Sequence, residues 1–149
     1  MAKYRVLQSA AHNYGASFIS VMNMAHDDYA MCYLLREAKE AGVDELRVNL
    51  LTGVADPAAL VSPELARSIA AYCDGFGAHI QRSGSALDMV SSAEMHIQIA
   101  WGHVVGEPDG DRTMHARLHC TVSIVDDRGV RHEGETSATW ICHAIKRLY

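Results

Sequence analysis

From Glu94 to His143 the sequence alternates apolar and polar residues through three long runs, and this alternation constrains the fold more than any other feature. Successive strand side chains point to opposite faces, so each run assigns its residues to one face or the other. In the run Glu94 to Val105, Met95, Ile97, Ile99 and Trp101 share a face opposite His96, Gln98 and Ala100. In Thr113 to Val125, the apolar row Met114, Ala116, Leu118, Cys120, Val122 and Ile124 stands against His115, Arg117, His119, Thr121 and Ser123. In Val130 to His143, Gly134, Thr136, Ala138, Trp140 and Cys142 alternate with Glu133, Glu135, Ser137, Thr139, Ile141 and His143. The intervening "EPDG" and "DDRG" carry polar residues followed by glycine, which is turn chemistry. The expectation is a three-stranded antiparallel meander with one apolar face and one polar, histidine-rich face.

Upstream, the periodicity changes to that of helices. In "HDDYAMCYLLREAKEAG", Asp27 or Asp28 can cap a helix whose stripe is Met31, Leu34, Leu35, Ala38 and Ala41, and Gly42 ends it. "SPEL" opens a second helix with Ser62 as cap and Pro63 at the first helical position. Leu65, Ile69, Tyr72, Cys73, Phe76 and Ile80 then recur at helical spacing, while Gly75 and Gly77 predict a bend or a close contact. "KYRVLQ" and "SFISVM" are expected to be strands before the first helix, and "ELRVNLL" a strand between the two helices. The resulting order is ββαβαβββ. It implies an α+β fold over residues 1–149, with one mostly antiparallel sheet and two helices packed on one face.

Charge and composition narrow the function. The 13 basic and 18 acidic residues give a net charge of −5, and no basic face is visible, which argues against nucleic acid. No apolar run approaches the roughly 20 residues of a membrane helix, and the N-terminus lacks the apolar core of a secretory signal. The four cysteines include no Cys-x-x-Cys pair, so reduced thiols in a cytoplasmic protein are expected. No phosphate loop or cofactor motif occurs, and no cofactor is expected.

The stretch "MHARLHC" holds the candidate chemistry. Four residues apart on a strand, His115 and His119 share a face but lie about 13 Å apart, too far to bind one metal ion unaided. No metal site is therefore expected. If Gly129 forms a bulge in the "DDRG" turn, His119 falls opposite Ser137, Arg117 opposite Thr139 and Thr121 opposite Glu135. His119 and Glu135 then form a diagonal acid–base pair. Cys120 and Cys142 adjoin histidines in sequence but point to the other face, so neither pairs with its neighbour as an activated thiol.

Two further stretches are candidates. "AHNYGAS" reads as an Asn/Gly turn in which His12 and Tyr14 could gather around a ligand. "NMAHDDY" places His26 beside an aspartate at a helix N-terminus, either as a proton-transfer group or as the neighbour of a cap. These residues suggest a small ligand-binding or protein-interaction module that self-associates as a homo-oligomer. The alternative is a small acid–base enzyme, an isomerase, cyclase or hydrolase, acting on an acidic or aromatic molecule. It would use His26 or His119 with Glu135, and bind substrate through His12, Tyr14, His115 and Arg117.

Overall fold

The computed structural model describes residues 2–24, 35, 38–58, 63–101 and 114–142. In order these form α1 (Ala2–Met24), β1 (Glu45–Asn49), β2 (Ala55–Asp56), α2 (Pro63–Asp74), α3 (Phe76–Arg82), β3 (Val90–Trp101), β4 (Met114–Asp126) and β5 (Arg131–Cys142). The strands form one open antiparallel sheet in the order β2-β1-β3-β4-β5. The class is α+β.

The meander follows the alternation. On β3, Ala93, Met95, Ile97 and Ile99 are buried, and on β4 Ala116, Leu118, Cys120, Val122 and Ile124 are. The β4–β5 register places His119 opposite Ser137, Arg117 opposite Thr139 and Thr121 opposite Glu135, as expected from a turn at Gly129. Gly129 has a φ of +84°, a conformation that favours glycine. The "EPDG" turn and the whole 102–113 segment lie outside the described residues.

The N-terminus differs from its expected form. "KYRVLQ", "AHNYGAS" and "SFISVM" are not two strands and a turn but one 23-residue helix, α1. The reason is burial. Leu7, Ala10, Ala11, Tyr14, Phe18 and Ile19 are all buried, and their spacing of three or four residues forms a single stripe against the sheet. Short runs of β-branched and aromatic residues mimic strands locally, but tertiary packing decides between the two states. The observed order therefore begins with a helix, and the helical layer is larger than the two helices expected.

Glycines let α1 approach the sheet closely. A Cβ built on Gly15 would lie 3.1 Å from Val122 Cγ2. At Gly134 on β5 a Cβ would meet the backbone of His12 itself, 2.2 Å from its nitrogen. The helix thus crosses β5 where the strand has no side chain. Tyr14 then reaches α2. Its hydroxyl donates to the Tyr72 carbonyl at 2.6 Å, and the Tyr72 hydroxyl donates to the Tyr14 carbonyl at 2.8 Å. Their rings lie 4.6 Å apart, and Phe76 meets Tyr14 edge-on at 5.1 Å. Burial raises the pKa of Tyr14 far above the usual tyrosine range.

The expected second helix appears as α2 and α3, divided at Gly75. Gly77 is the close contact: a Cβ there would lie 3.2 Å from Leu87 Cδ2. Of the expected first helix, Leu35 and residues 38–41 are described as helical. Its end is closed at Gly42, with φ +72°, by the Val43 N–H donating to the Ala38 carbonyl at 2.9 Å. Among the described residues no helix is long and apolar enough to cross a membrane.

Cys73 and Cys120 are buried free thiols. Burial pushes Cys73 up to about 11 and Cys120 up to about 12. Reactivity requires the thiolate, so iodoacetamide at pH 8 should leave both unmodified in the native protein and label both in urea, as read by peptide mass mapping. The unfolded chain loses these protons near pH 8.5, whereas the native protein holds them longer. Stability should therefore fall as pH rises from about 8.5 toward 12.

Candidate functional site

The face of the sheet turned away from α1 carries the polar rows of β1, β3, β4 and β5. Non-neighbouring parts of the sequence meet here because Arg47 pairs with His96, His96 with Thr121, and Thr121 with Glu135. Two clusters result. The first centres on β1, where the Arg47 guanidinium donates to Glu94 at 3.2 Å and to Glu45 at 3.3 Å. His96 Nε2–H donates to the same Glu45 carboxylate at 2.6 Å. Glu45, Arg47 and Glu94 are each nearly half exposed. Ion pairs so exposed are worth about 0–1 kcal/mol each, so they set orientation more than stability.

The second cluster is built around His119. Its Nε2 lies 2.8 Å from Glu135 Oε1, and its Nδ1 lies 3.0 Å from Ser137 Oγ. A carboxylate only accepts hydrogen bonds, so Nε2 carries the proton; on a neutral ring Nδ1 then accepts from the Ser137 hydroxyl. The sequence reading brought His119 and Glu135 together diagonally, and the structure places them in contact. Ser137, which the expected register already sets opposite His119, adds a hydroxyl to the pair.

Next to this cluster is a shallow depression of about 290 Å³. Arg117 and His119 line it, together with the acidic residues Asp44 and Glu45 and with Gln98 and Ala100. Arg117 is exposed. Arg47 is held between two carboxylates, whereas Arg117 has no hydrogen-bond or ion-pair partner among the described residues. The depression therefore joins an uncommitted guanidinium to a carboxylate-bearing rim.

The remaining candidates are distributed differently. His12 lies on α1, where its Nδ1–H donates to the Glu135 carbonyl at 2.8 Å. It lines a groove of about 500 Å³ between α1 and β5, apart from the Arg117 depression. Tyr14 is a core residue, 3% exposed, with its hydroxyl and carbonyl taken up by Tyr72. His115 sits on β4 opposite Ile141, but its side chain lies outside the described set, as does His26 entirely. Among the described residues no three His, Cys, Asp or Glu side chains form a group that could hold a metal ion.

One buried polar cluster also went unread in the sequence. Asp126, with no exposed surface, accepts hydrogen bonds from Arg128 Nη2 at 2.7 Å, His132 Nε2 at 2.8 Å and the Arg128 and Val130 backbone N–H groups. Its carboxyl is held well below the usual range, first by Arg128 and then by His132 and the backbone donors, against the opposing effect of burial. The cluster lies at the β4–β5 turn and organises that turn. Comparison of the chain with family models, with curated proteins and with solved structures found no match.

Proposed function

We propose that the protein is a small, self-associating ligand-binding module whose site is the depression at Arg117 and His119. The observation that supports this most is Arg117, an exposed guanidinium on the rim of a depression, with no carboxylate partner among the described residues. A guanidinium in that position suits a carboxylate or phosphate through paired N–H donors. Asp44, across the depression and without an ion-pair partner among the described residues, suits an ammonium or another donor. A small zwitterion matches both sides, and about 290 Å³ is small for a ligand site.

NMR titration tests the reading with acetate, inorganic phosphate and a set of α-amino acids. Zwitterions should shift the Gln98, Arg117 and His119 amides more than acetate does. Arg117→Ala should weaken the binding by about tenfold. Shifts confined to other residues, or none at millimolar concentration, would exclude this site.

The bridged geometry of His119 favours a second reading, an acid–base enzyme of the hydrolase kind. Ser137, His119 and Glu135 stand in the order nucleophile, base and orienting carboxylate. In this reading p-nitrophenyl acetate is cleaved, and both Ser137→Ala and His119→Gln abolish the release of nitrophenol above background. Equal rates in the wild type and both variants would remove it.

A further inference from the structure

The two edges of the sheet differ sharply. At one edge β2 has two residues, Ala55–Asp56; at the other β5 has twelve, Arg131–Cys142. A short edge offers little to pair with, whereas a long regular one presents a row of free N–H and C=O groups. The β4–β5 pairing runs from Met114↔Cys142 to Val125↔Arg131 in one unshifted register, so no bulge interrupts β5. β5 also contains no proline.

The direction of the free groups follows from the turn. The Asp126 N–H donates to the Val130 carbonyl at 2.9 Å, which makes this a hydrogen-bonded pair. Hydrogen-bonded and non-bonded pairs alternate along an antiparallel ladder, so the even-numbered residues of β5 bond to β4. Arg131, Glu133, Glu135, Ser137, Thr139 and Ile141 then direct their backbone groups to an edge that no strand among the described residues covers. The His12 bond to the Glu135 carbonyl agrees with this, because that carbonyl must face away from β4. His12 takes one lone pair of one carbonyl and leaves the second.

We infer that this edge is a homodimer interface, pairing antiparallel with β5 of a second copy about a two-fold axis between Glu135 and Ser137. The inference rests on the self-association in the function proposed above and assigns it to this edge of the sheet.

The sequence of β5 carries the choice of occupant. Its outward-facing charges, Arg131, Glu133 and Glu135, all lie in the half nearest the turn, and Ser137, Thr139 and Ile141 in the other half are uncharged. Full overlap of two antiparallel copies sets Arg131 opposite Ile141, Glu133 opposite Thr139 and Glu135 opposite Ser137. No charge then lies directly opposite a like charge, only the two Glu135 side chains meet diagonally across the axis, and every outward N–H and C=O in the overlap meets a strand partner. Because the β2 edge is too short to continue the sheet, the pairing closes as a dimer instead of extending into a fibre.

Light scattering and sedimentation on the full chain test this, with an expected mass of twice 16.3 kDa. Ser137→Pro removes an N–H that β4 does not use, so it should yield a folded monomer with an unchanged circular dichroism spectrum. Ser137→Lys sets an ammonium opposite the partner's Glu135 and should tighten the dimer by about tenfold; Ser137→Glu should weaken it by a similar factor. A folding defect would move both charge variants the same way. A monomeric wild type at high concentration, or a dimer indifferent to all three variants, overturns the inference. The amino-acid titration separates the two proposals, since binding at Arg117 by a strictly monomeric protein leaves the ligand reading standing and removes only the dimer.

Discussion

Gly134→Ala lowers the melting temperature by roughly 10 °C, the expected result of overpacking worth about 3 kcal/mol in a chain of this length. The added Cβ would lie 2.2 Å from the His12 nitrogen and 2.4 Å from its Cα. Backbone atoms cannot rotate away as a side-chain end can, so α1 must lift by about 1 Å to restore ordinary contact distances. That displacement loosens the stripe of Leu7, Ala10, Ala11, Tyr14 and Phe18 together, because all five sit on one rigid helix. Gly134→Val should be worse.

Gly42→Ala is the control. Its φ of +72° costs an L-residue about 1–2 kcal/mol, but nothing lies within 4 Å of the added carbon. Gly15→Ala meets a valine methyl at 3.1 Å, a contact that a small side-chain shift relieves. Thermal denaturation should therefore rank Gly134→Ala as the most damaging of the three. A Gly134→Ala melting point within about 2 °C of the wild type would mean that α1 does not cross β5 there.

This prediction bears on the part of the fold that local sequence patterns misrepresent. β3, β4 and β5 are legible because each has one buried and one solvated face, so burial writes a two-residue period into the sequence. The β4–β5 register is legible as well, since Gly129 fixes the turn and the turn fixes every pair up to Met114↔Cys142. α1 is harder to read. Asn13 and Gly15 imitate a turn, and "SFISV" imitates a strand, yet Gly15 is there so that the helix can lie against Val122 and Cys120. The helical period of Leu7, Ala11, Tyr14 and Phe18 was present in the sequence, but reading it requires a window longer than either apparent strand.

The candidate site divides in the same way. His119 and Glu135 could be paired from register alone, because both lie on polar rows of regular strands. The contribution of Asp44 and Glu45 to the Arg117 depression could not, since it depends on β1 pairing with β3 across about fifty residues of intervening chain. Asp126 opens the "DDRG" turn, where an aspartate is ordinary turn chemistry. Only the fold shows that its carboxylate is enclosed.

Asp126→Asn should lower the melting temperature by an amount on the order of 10 °C at pH 7, and should remove a specific part of the pH dependence. Every group facing the Asp126 carboxylate is a donor: the Arg128 guanidinium, His132 Nε2–H and two backbone N–H groups. An asparagine has the same shape, but turns one acceptor oxygen into a buried NH2 group that faces donors. The damage should spread beyond the turn. The Arg128 guanidinium stacks 3.5 Å from the Tyr4 ring centre, and the Tyr4 hydroxyl donates to Asp127 at 2.8 Å, so the same turn anchors the first part of α1. The pH dependence follows from the depressed native pKa of Asp126. An unfolded aspartate titrates near 3.9, so the native contacts contribute their full stability above about pH 5 and lose it progressively as pH falls through 4 and below. The other carboxylates titrate in both proteins, so below about pH 5 the difference between the wild-type and Asp126→Asn curves reports this carboxylate and the donors it holds. That difference should shrink as pH falls from about 5 toward 2. A difference unchanged at low pH would show that the lost contacts were those of shape alone, and that the charge at Asp126 does not hold the turn against α1.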